Sequence, residues 1–285
     1  MHPTFAALNG ALRQRPLIMG VLNVTPDSFS DGGLWLEPAQ AVNHALLMLK
    51  DGADIIDVGG DSTRPGAPAV SLREELERVL PVLEDLHRRR PDLALSIDTQ
   101  KAEVARQAVA AGACLINDVS ALTADPGMLA VAEACDAGVC IMHRLEAPLH
   151  ASWSPNEASR YGPTGVTAEV FAWLQEHVTG LRSAGIADER LWVDPGLGFG
   201  KSVGDNLRLL RELADLKALG RPVLVGPSRK SFIGSVLGTP AVTERLEGTL
   251  AACAVALMNG AAILRVHDVK EAVRVAKVVH AVIHS

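Results

Sequence analysis

Short apolar runs recur along the chain, and each ends on polar groups. PLIMGVLN ends on Asn23, and DIIDVGG runs into Asp61, Ser62, Thr63 and Arg64. ALSID ends on Asp98, CLIND presents Asn117, GVCIMH ends on His143 and LWVD on Asp194. PVLVGPS runs into Ser228, Arg229 and Lys230, and AILRVH carries Arg265 and His267. Continuous rather than alternating apolarity is what a sheet covered on both faces requires. It predicts strands at 17–24, 54–60, 94–98, 114–119, 138–143, 191–194, 222–226 and 262–267.

Between these runs the apolar residues fall at three-four spacing, the signature of a helix with one buried face. The pattern predicts helices at 39–51, 72–90, 101–111, near 127–137, 167–184, 205–218, 243–259 and 269–283. Pro81 lies inside the second and is expected to kink or end it. Eight strand–helix units predict an α/β fold, a closed parallel (β/α)8 TIM barrel with its chemistry on one rim. An open doubly wound sheet is the competing architecture, less natural for eight regular units. No Pro/Ser-rich linker divides the chain, so residues 1–285 read as one domain, with 1–15 an N-terminal extension.

Composition sharpens this only in part. The net charge of −6 and the lack of a basic cluster beyond Arg88–Arg90 exclude a nucleic-acid surface; that run reads as the cap of a helix end. Cys114, Cys135, Cys140 and Cys253 form no CxxC pair and read as buried free thiols. Neither a secretory signal nor a membrane span of about 20 apolar residues appears, so a cytoplasmic protein with no membrane partner is expected.

Three connections at the polar rim are long: 25–38, 61–71 and 144–166. Loops of this size in a compact domain are commonly functional. The first two carry Phe29 and Arg64 and read as lids. Arg265 and His267 are two apart on a strand, so they project to one side and make a candidate anion site with the Ser228–Ser231 segment. The plainer alternative has Arg265 paired with a core carboxylate. Asp98, Asn117 and Asp194 are costly to bury unpaired. They suit a flat heterocycle rich in N–H donors, with Lys230 facing its carbonyl edge; an Asp–Lys230 pair without ligand is the alternative. Phe199, in the glycine-rich DPGLGFGK, is placed to cover such a ring. Asn23 is either a turn residue or a neutral oxygen ligand for a hydrated magnesium ion. His143 is either a ligand group or a satisfied rim histidine.

LNVTPDSFSDGG, DSTRPGA, SIDT, INDVSAL, DPGLGFGK, LVGPSRKSFIG and RVHDV together, in this order, closely resemble the dihydropteroate synthases of the folate pathway. The resemblance implies a pterin-binding barrel. Its reaction is a transferase reaction that joins a hydroxymethyl-dihydropterin pyrophosphate to p-aminobenzoate, releasing pyrophosphate. By the family pattern Asp98, Asn117, Asp194 and Lys230 hold the pterin, with Met142 and Phe199 against its ring. Asn23, Arg265 and His267 hold pyrophosphate and Mg2+. Phe29, Thr63, Arg64, Pro65 and Ser231 form the p-aminobenzoate pocket, where sulfonamides act in this family. Asp98, Lys230, Arg265 and Asn23 are the catalytic candidates, and a homodimer is the family's usual assembly. Two departures stand out: Asp61 where the family often has Glu, and HRLEAP after Met142. A folate-dependent methyltransferase barrel, a Schiff-base aldolase using Lys230 and a silent pterin-binding paralogue are the rival readings.

Overall fold

In the computed structural model, which describes residues 1–25, 38–61, 70–145, 158–239 and 241–285, strands and helices alternate as the periodicity predicts. The chain runs α1 (Pro3–Leu12), β1 (Leu17–Asn23), α2 (Pro38–Lys50), β2 (Ile55–Gly59), α3 (Leu72–Arg89), β3 (Ala94–Asp98), α4 (Ala102–Ala110), β4 (Leu115–Asp118) and α5 (Met128–Ala134). It continues with β5 (Gly138–Met142), α6 (Val166–Ser183), β6 (Leu191–Asp194), α7 (Val203–Arg211), β7 (Leu224–Val225), α8 (Ser231–Leu237), α9 (Leu246–Met258), β8 (Ile263–Val266) and α10 (Val269–Ile283). All strand pairs are parallel, in the order β6-β5-β4-β3-β2-β1-β8-β7, and a single Val193–Val223 bridge joins the two ends. This is the (β/α)8 barrel, with the long rim connections falling mostly outside the described residues.

Two cores follow from strand geometry, in which alternate residues face opposite sides. One set, including Ile18, Ile56, Leu95, Ile116, Val139 and Leu264, packs against the surrounding helices. The other, including Met19, Ile55, Ala94, Leu115, Cys140, Trp192 and Ile263, fills the barrel interior. Further along the same strands the inward positions turn polar: Asn23, Asp57, Asp98, Asn117, Asp194 and Arg265. The barrel is thus dry at its amino end and charged at its carboxyl end.

Three expectations are corrected. Pro81 does not end its helix; α3 runs unbroken from a Ser71 cap, whose Oγ accepts from the Glu74 N–H at 3.2 Å, to Arg89. The helix expected at 205–218 is α7 followed by a 3₁₀ segment, Leu213–Leu219, and a short helix, α8, precedes α9. The N-terminal extension is itself a helix that stoppers the barrel. Phe5, fully buried, packs against Trp192 with the rings tilted and their centroids 4.8 Å apart. Asn9 accepts from the Trp192 indole N–H at 3.0 Å and donates to the Glu189 carbonyl at 2.7 Å. Gly138 makes room, since a Cβ there would lie 2.2 Å from the Phe5 ring.

Candidate active site

The register builds the site. Asn23 lies beside Gly59, Gly59 beside Asp98, and Asp98 beside Asn117, so three polar side chains share one row across β1 to β4. Gly59 leaves a gap in that row: a Cβ there would sit 3.7 Å from Asp98 Oδ2 and 3.8 Å from Asn23 Oδ1. Met142 and Asp194 are register partners on β5 and β6. Asp98, Asn117, Met142, Asp194, Phe199, Lys230 and Arg265 line one cleft, together with Val119, Leu197 and Gly226. Every residue expected to touch the heterocycle is therefore in the same cup as Arg265.

Below the row lies Asp57, which sequence reasoning passed over. It is fully buried, and its Oδ2 accepts from Asn117 Nδ2 at 3.0 Å and from Arg265 Nε at 2.6 Å. Arg265 Nη2 donates to Asp98 Oδ2 at 2.6 Å, so the guanidinium bridges two acids. The signal was the inward, two-residue step from Asp57 to Gly59 inside an apolar strand. The core-carboxylate alternative for Arg265 is thus realised in the ligand-free protein.

Burial pushes the Asp98 carboxyl up to about 7; Arg265 opposes this, while Asp57, Glu75 and Asp118 add to it. Asp194 is also raised, chiefly by burial, against a hydrogen bond from the Gly196 N–H to Oδ1 at 2.7 Å. Burial first, then the charge of Arg265, lowers Lys230 to about 8, with Asp194 and Asp98 pulling the other way. Burial disfavours the Arg265 cation too, but the charges of Asp57 and Asp98 outweigh it and its pKa rises.

The Lys230 ammonium stands 4.1 Å over the Phe199 ring, a cation–π contact. Its approach is set by a strained turn. Arg229 has φ of 60°, a left-handed conformation uncommon for a side chain of this size. The turn is fixed from three sides: Arg229 N–H donates to Thr249 Oγ1 at 3.1 Å, its carbonyl accepts from Arg245 Nη1 at 2.9 Å, and its guanidinium pairs with Asp268 at 2.6 Å. Arg229 is therefore committed to Asp268, and Lys230 is the cation the turn presents to the cleft.

His267 and Asn23 flank this cleft without lining it. His267 Nδ1 lies 3.0 Å from Ser228 Oγ, and burial, then Arg229 and Arg265, lowers its pKa to about 3. It is a neutral hydrogen-bonding group in the free protein, so the expected pair of cations on β8 reduces to one. Asn23 makes no side-chain hydrogen bond with the described residues. Ser231, next to Lys230, opens α8 and is exposed. Phe29, Thr63, Arg64 and Pro65 lie outside the described residues. His143 is buried and off the cleft.

A parallel eightfold barrel whose carboxyl end gathers acids, an amide, a ring-facing lysine and an arginine defines a pterin-binding enzyme, and the profile of that family, "Pterin binding enzyme", matches residues 19–267. The dihydropteroate synthase of Escherichia coli K12 is 48% identical over 266 residues, covering 93% of this chain and 91% of that one. Xanthomonas albilineans dihydropteroate synthase, solved with 4-aminobenzoic acid, superposes with a TM-score of 0.86 at 46% identity, covering 95% and 94% of the two chains. The Yersinia pestis enzyme, solved with a sulfonamide drug, gives a TM-score of 0.87 at 44% identity over 96% of each. The chain belongs to the dihydropteroate synthase family and is a transferase of folate biosynthesis.

Proposed function

We propose that the chain joins a hydroxymethyl-dihydropterin pyrophosphate to p-aminobenzoate, giving dihydropteroate and pyrophosphate, by a dissociative substitution in this cleft. The carrying observation is that Asp98, Asn117, Asp194 and Lys230, from separate strand ends, line one cup with Arg265 at its edge. Asp194 and Asn117 take the donor edge of the pterin, and Lys230 its carbonyl edge. Met142 and Phe199 lie against the ring. Asn23, Arg265 and His267 take the pyrophosphate, and Phe29, Thr63, Arg64, Pro65 and Ser231 the p-aminobenzoate.

The carbon–oxygen bond breaks with its electron pair leaving on pyrophosphate. The methylene carbon is conjugated with an electron-rich ring, so a cation forms there, and Asp98 supplies a facing negative charge. The arylamine lone pair closes the carbon–nitrogen bond, and the resulting anilinium releases its proton without a strong base. Alignment of the two substrates supplies a barrier reduction on the order of 7 kcal/mol. Arg265 grips Asp57 and Asp98 at 2.6 Å each, so a pyrophosphate that recruits it competes with two carboxylates.

The described residues hold no cluster of three His, Cys, Asp or Glu side chains suited to a metal. The Asn23 amide, unused by any side-chain hydrogen bond with the described residues and facing the gap at Gly59, fits a magnesium ion that would keep most of its waters and take phosphate oxygens. When bound, the ion supplies charge neutralisation to the leaving group. A cytoplasmic homodimer accords with four free thiols, the absence of a membrane-crossing helix among the described residues, and apolar side chains exposed on α8 to α10, including Leu237, Val255, Met258 and Val282. The test is a coupled assay for pyrophosphate with and without p-aminobenzoate. Release that depends on the arylamine is expected; no release with both substrates would leave a silent pterin-binding barrel.

A further inference from the structure

Of the INDVSAL motif the reaction scheme uses Asn117 alone. Asp118 closes β4, and the alternation of the strand turns its side chain away from the cleft that Asn117 lines. It is fully buried. Its Oδ1 accepts from the Ser120 N–H at 2.7 Å and from the Ser120 hydroxyl at 2.6 Å, and its Oδ2 accepts from the Leu122 N–H at 2.9 Å. Both oxygens thus face donors, the surroundings of a carboxylate; a protonated oxygen would turn its own O–H on one of them. Burial raises the Asp118 pKa, and the bonds from Ser120 and Leu122, then the charge of Arg144, oppose the rise.

The carboxylate holds a turn that the chain resists. Ala121 has φ of 54° and Leu122 φ of 64°, two consecutive left-handed residues, neither of them glycine. In that conformation Cβ crowds the following carbonyl oxygen, so each residue adopts it at a cost. Both residues are buried, and the bond to the Leu122 N–H reaches into the middle of the turn. Among the described residues the one other side chain at positive φ is Arg229. All three stand on connections leaving strand ends at the rim, after β4 and after β7. Asn117 and Val119 line the cleft beside the first turn, and Lys230 lines it beside the second. Strain gathered at a ligand site, with the surroundings holding it in place, is a mark of preorganisation. The far end of the β4 turn is tied down as well. Ser120 Oγ accepts from the Ala124 N–H at 3.2 Å, and Asp125 Oδ2 accepts from the Ala102 N–H at the start of α4 at 2.8 Å.

We infer that Asp118 is a positioning residue for pterin recognition: by holding the left-handed Ala121–Leu122 turn it fixes Val119 and the Asn117 amide in the cleft wall before the pterin arrives. This rests on the pterin subsite proposed above. Released from Asp118, residues 121 and 122 relax toward ordinary negative φ and the end of β4 shifts. The pterin then has to rebuild the turn as it binds, and its affinity falls by that cost.

The test is a double-mutant cycle on the affinity for 6-hydroxymethylpterin, read by its fluorescence well below the unfolding temperature. Asp118→Asn keeps the size of the side chain and an oxygen for Ser120, but turns an amide NH2 on the Leu122 N–H. It is expected to weaken binding about tenfold, the worth of one hydrogen bond to a charged group. Ala121→Gly supplies a residue that takes a left-handed φ at no steric cost. In that background Asp118→Asn is expected to cost about twofold or less, because the turn no longer needs the carboxylate. Wild-type affinity in Asp118→Asn overturns the inference, since a merely structural carboxylate would lower the melting temperature and leave this affinity unmoved. An equal loss in both backgrounds overturns it too, because a carboxylate acting on the cleft by its charge is indifferent to the backbone at 121. If Asp118→Asn fails to fold, Ser120→Ala removes one of the three donors in its place. A loss of about threefold that Ala121→Gly abolishes is then expected, and unchanged affinity overturns the inference. A wild-type protein that does not bind the pterin overturns the subsite itself, and this role with it.

Discussion

Replacing Arg265 by alanine removes the cation that Asp57 and Asp98 share at 2.6 Å each. Breaking a buried ion pair by deleting one partner costs about 3–5 kcal/mol, because the survivor is left charged and unsolvated. At this chain length that corresponds to a melting temperature lower by about 6–10 °C. The loss carries a pH signature. Asp98 titrates near 7 in the folded protein, up from an ordinary 3.8, so between those values the folded state binds more protons than the unfolded one. Stability from this group is therefore present at low pH and lost as pH rises through about 7. Without Arg265, which lowers that pKa, the window extends to higher pH. Calorimetry should show a larger deficit at about pH 8 than at about pH 5, where Asp98 is already protonated in both proteins. The KM for the pyrophosphate substrate should rise in parallel. A deficit equal at the two pH values, or larger in acid, would refute the assignment of Arg265 as the counter-charge of Asp98.

Lys230→Ala should lower kcat/KM for the pterin substrate about 100-fold, the loss of one charged hydrogen bond worth about 2.7 kcal/mol; steady-state kinetics near wild type would remove Lys230 from the pterin site. Phe5→Ala should cost about 3–5 kcal/mol by opening a cavity under Trp192. Since the stopper lies at the end of the barrel opposite the cleft, its kinetic constants at low temperature should be unchanged, and altered ones would show that the plug is felt at the rim. Chelation of divalent cations should raise the KM for the pyrophosphate substrate and leave the affinity for 6-hydroxymethylpterin intact. Equal loss of both, by titration calorimetry, would count against a metal held beside Asn23 and the pyrophosphate.

The legible part of the chain was its strand ends. A run such as ALSID fixes both that Ile97 faces the helices and that Asp98 reaches the rim, because strand side chains alternate strictly. What was missed obeys longer-range rules. Asp57 looked like one polar break in a buried strand until the barrel brought Arg265, 208 residues away, to within 2.6 Å of it. Lys201, which the sequence reading left without a role, is fully buried because the end of β5 lies under the glycine-rich turn. The N-terminal helix has little amphipathic pattern, because only Phe5 and Leu8 are buried, beneath a barrel whose lower opening no local pattern describes.

For the proposed reaction, the charges argue for both an arginine that turns and an added cation. Before any substrate enters, Arg265 is already shared by Asp57 and Asp98, and Lys230 is the other cation that lines the cleft. A pyrophosphate brought into this cup adds several negative charges near Asp98. At about 4 Å and an effective dielectric constant near 20, each like-charge pair costs about 4 kcal/mol. His267, with its pKa lowered to about 3, cannot offset that as a cation without first gaining a proton. Two sources of compensation remain: Arg265 turning from Asp98 toward the phosphate, and a divalent ion beside Asn23. The first of these also removes the counter-charge that lowers the Asp98 pKa, so the Asp98 carboxylate is then favoured only by the positive charge developing on the substrate carbon. On this reading Arg265 couples the departure of the leaving group to the ionisation of Asp98, which is favoured again as the substrate cation forms beside it.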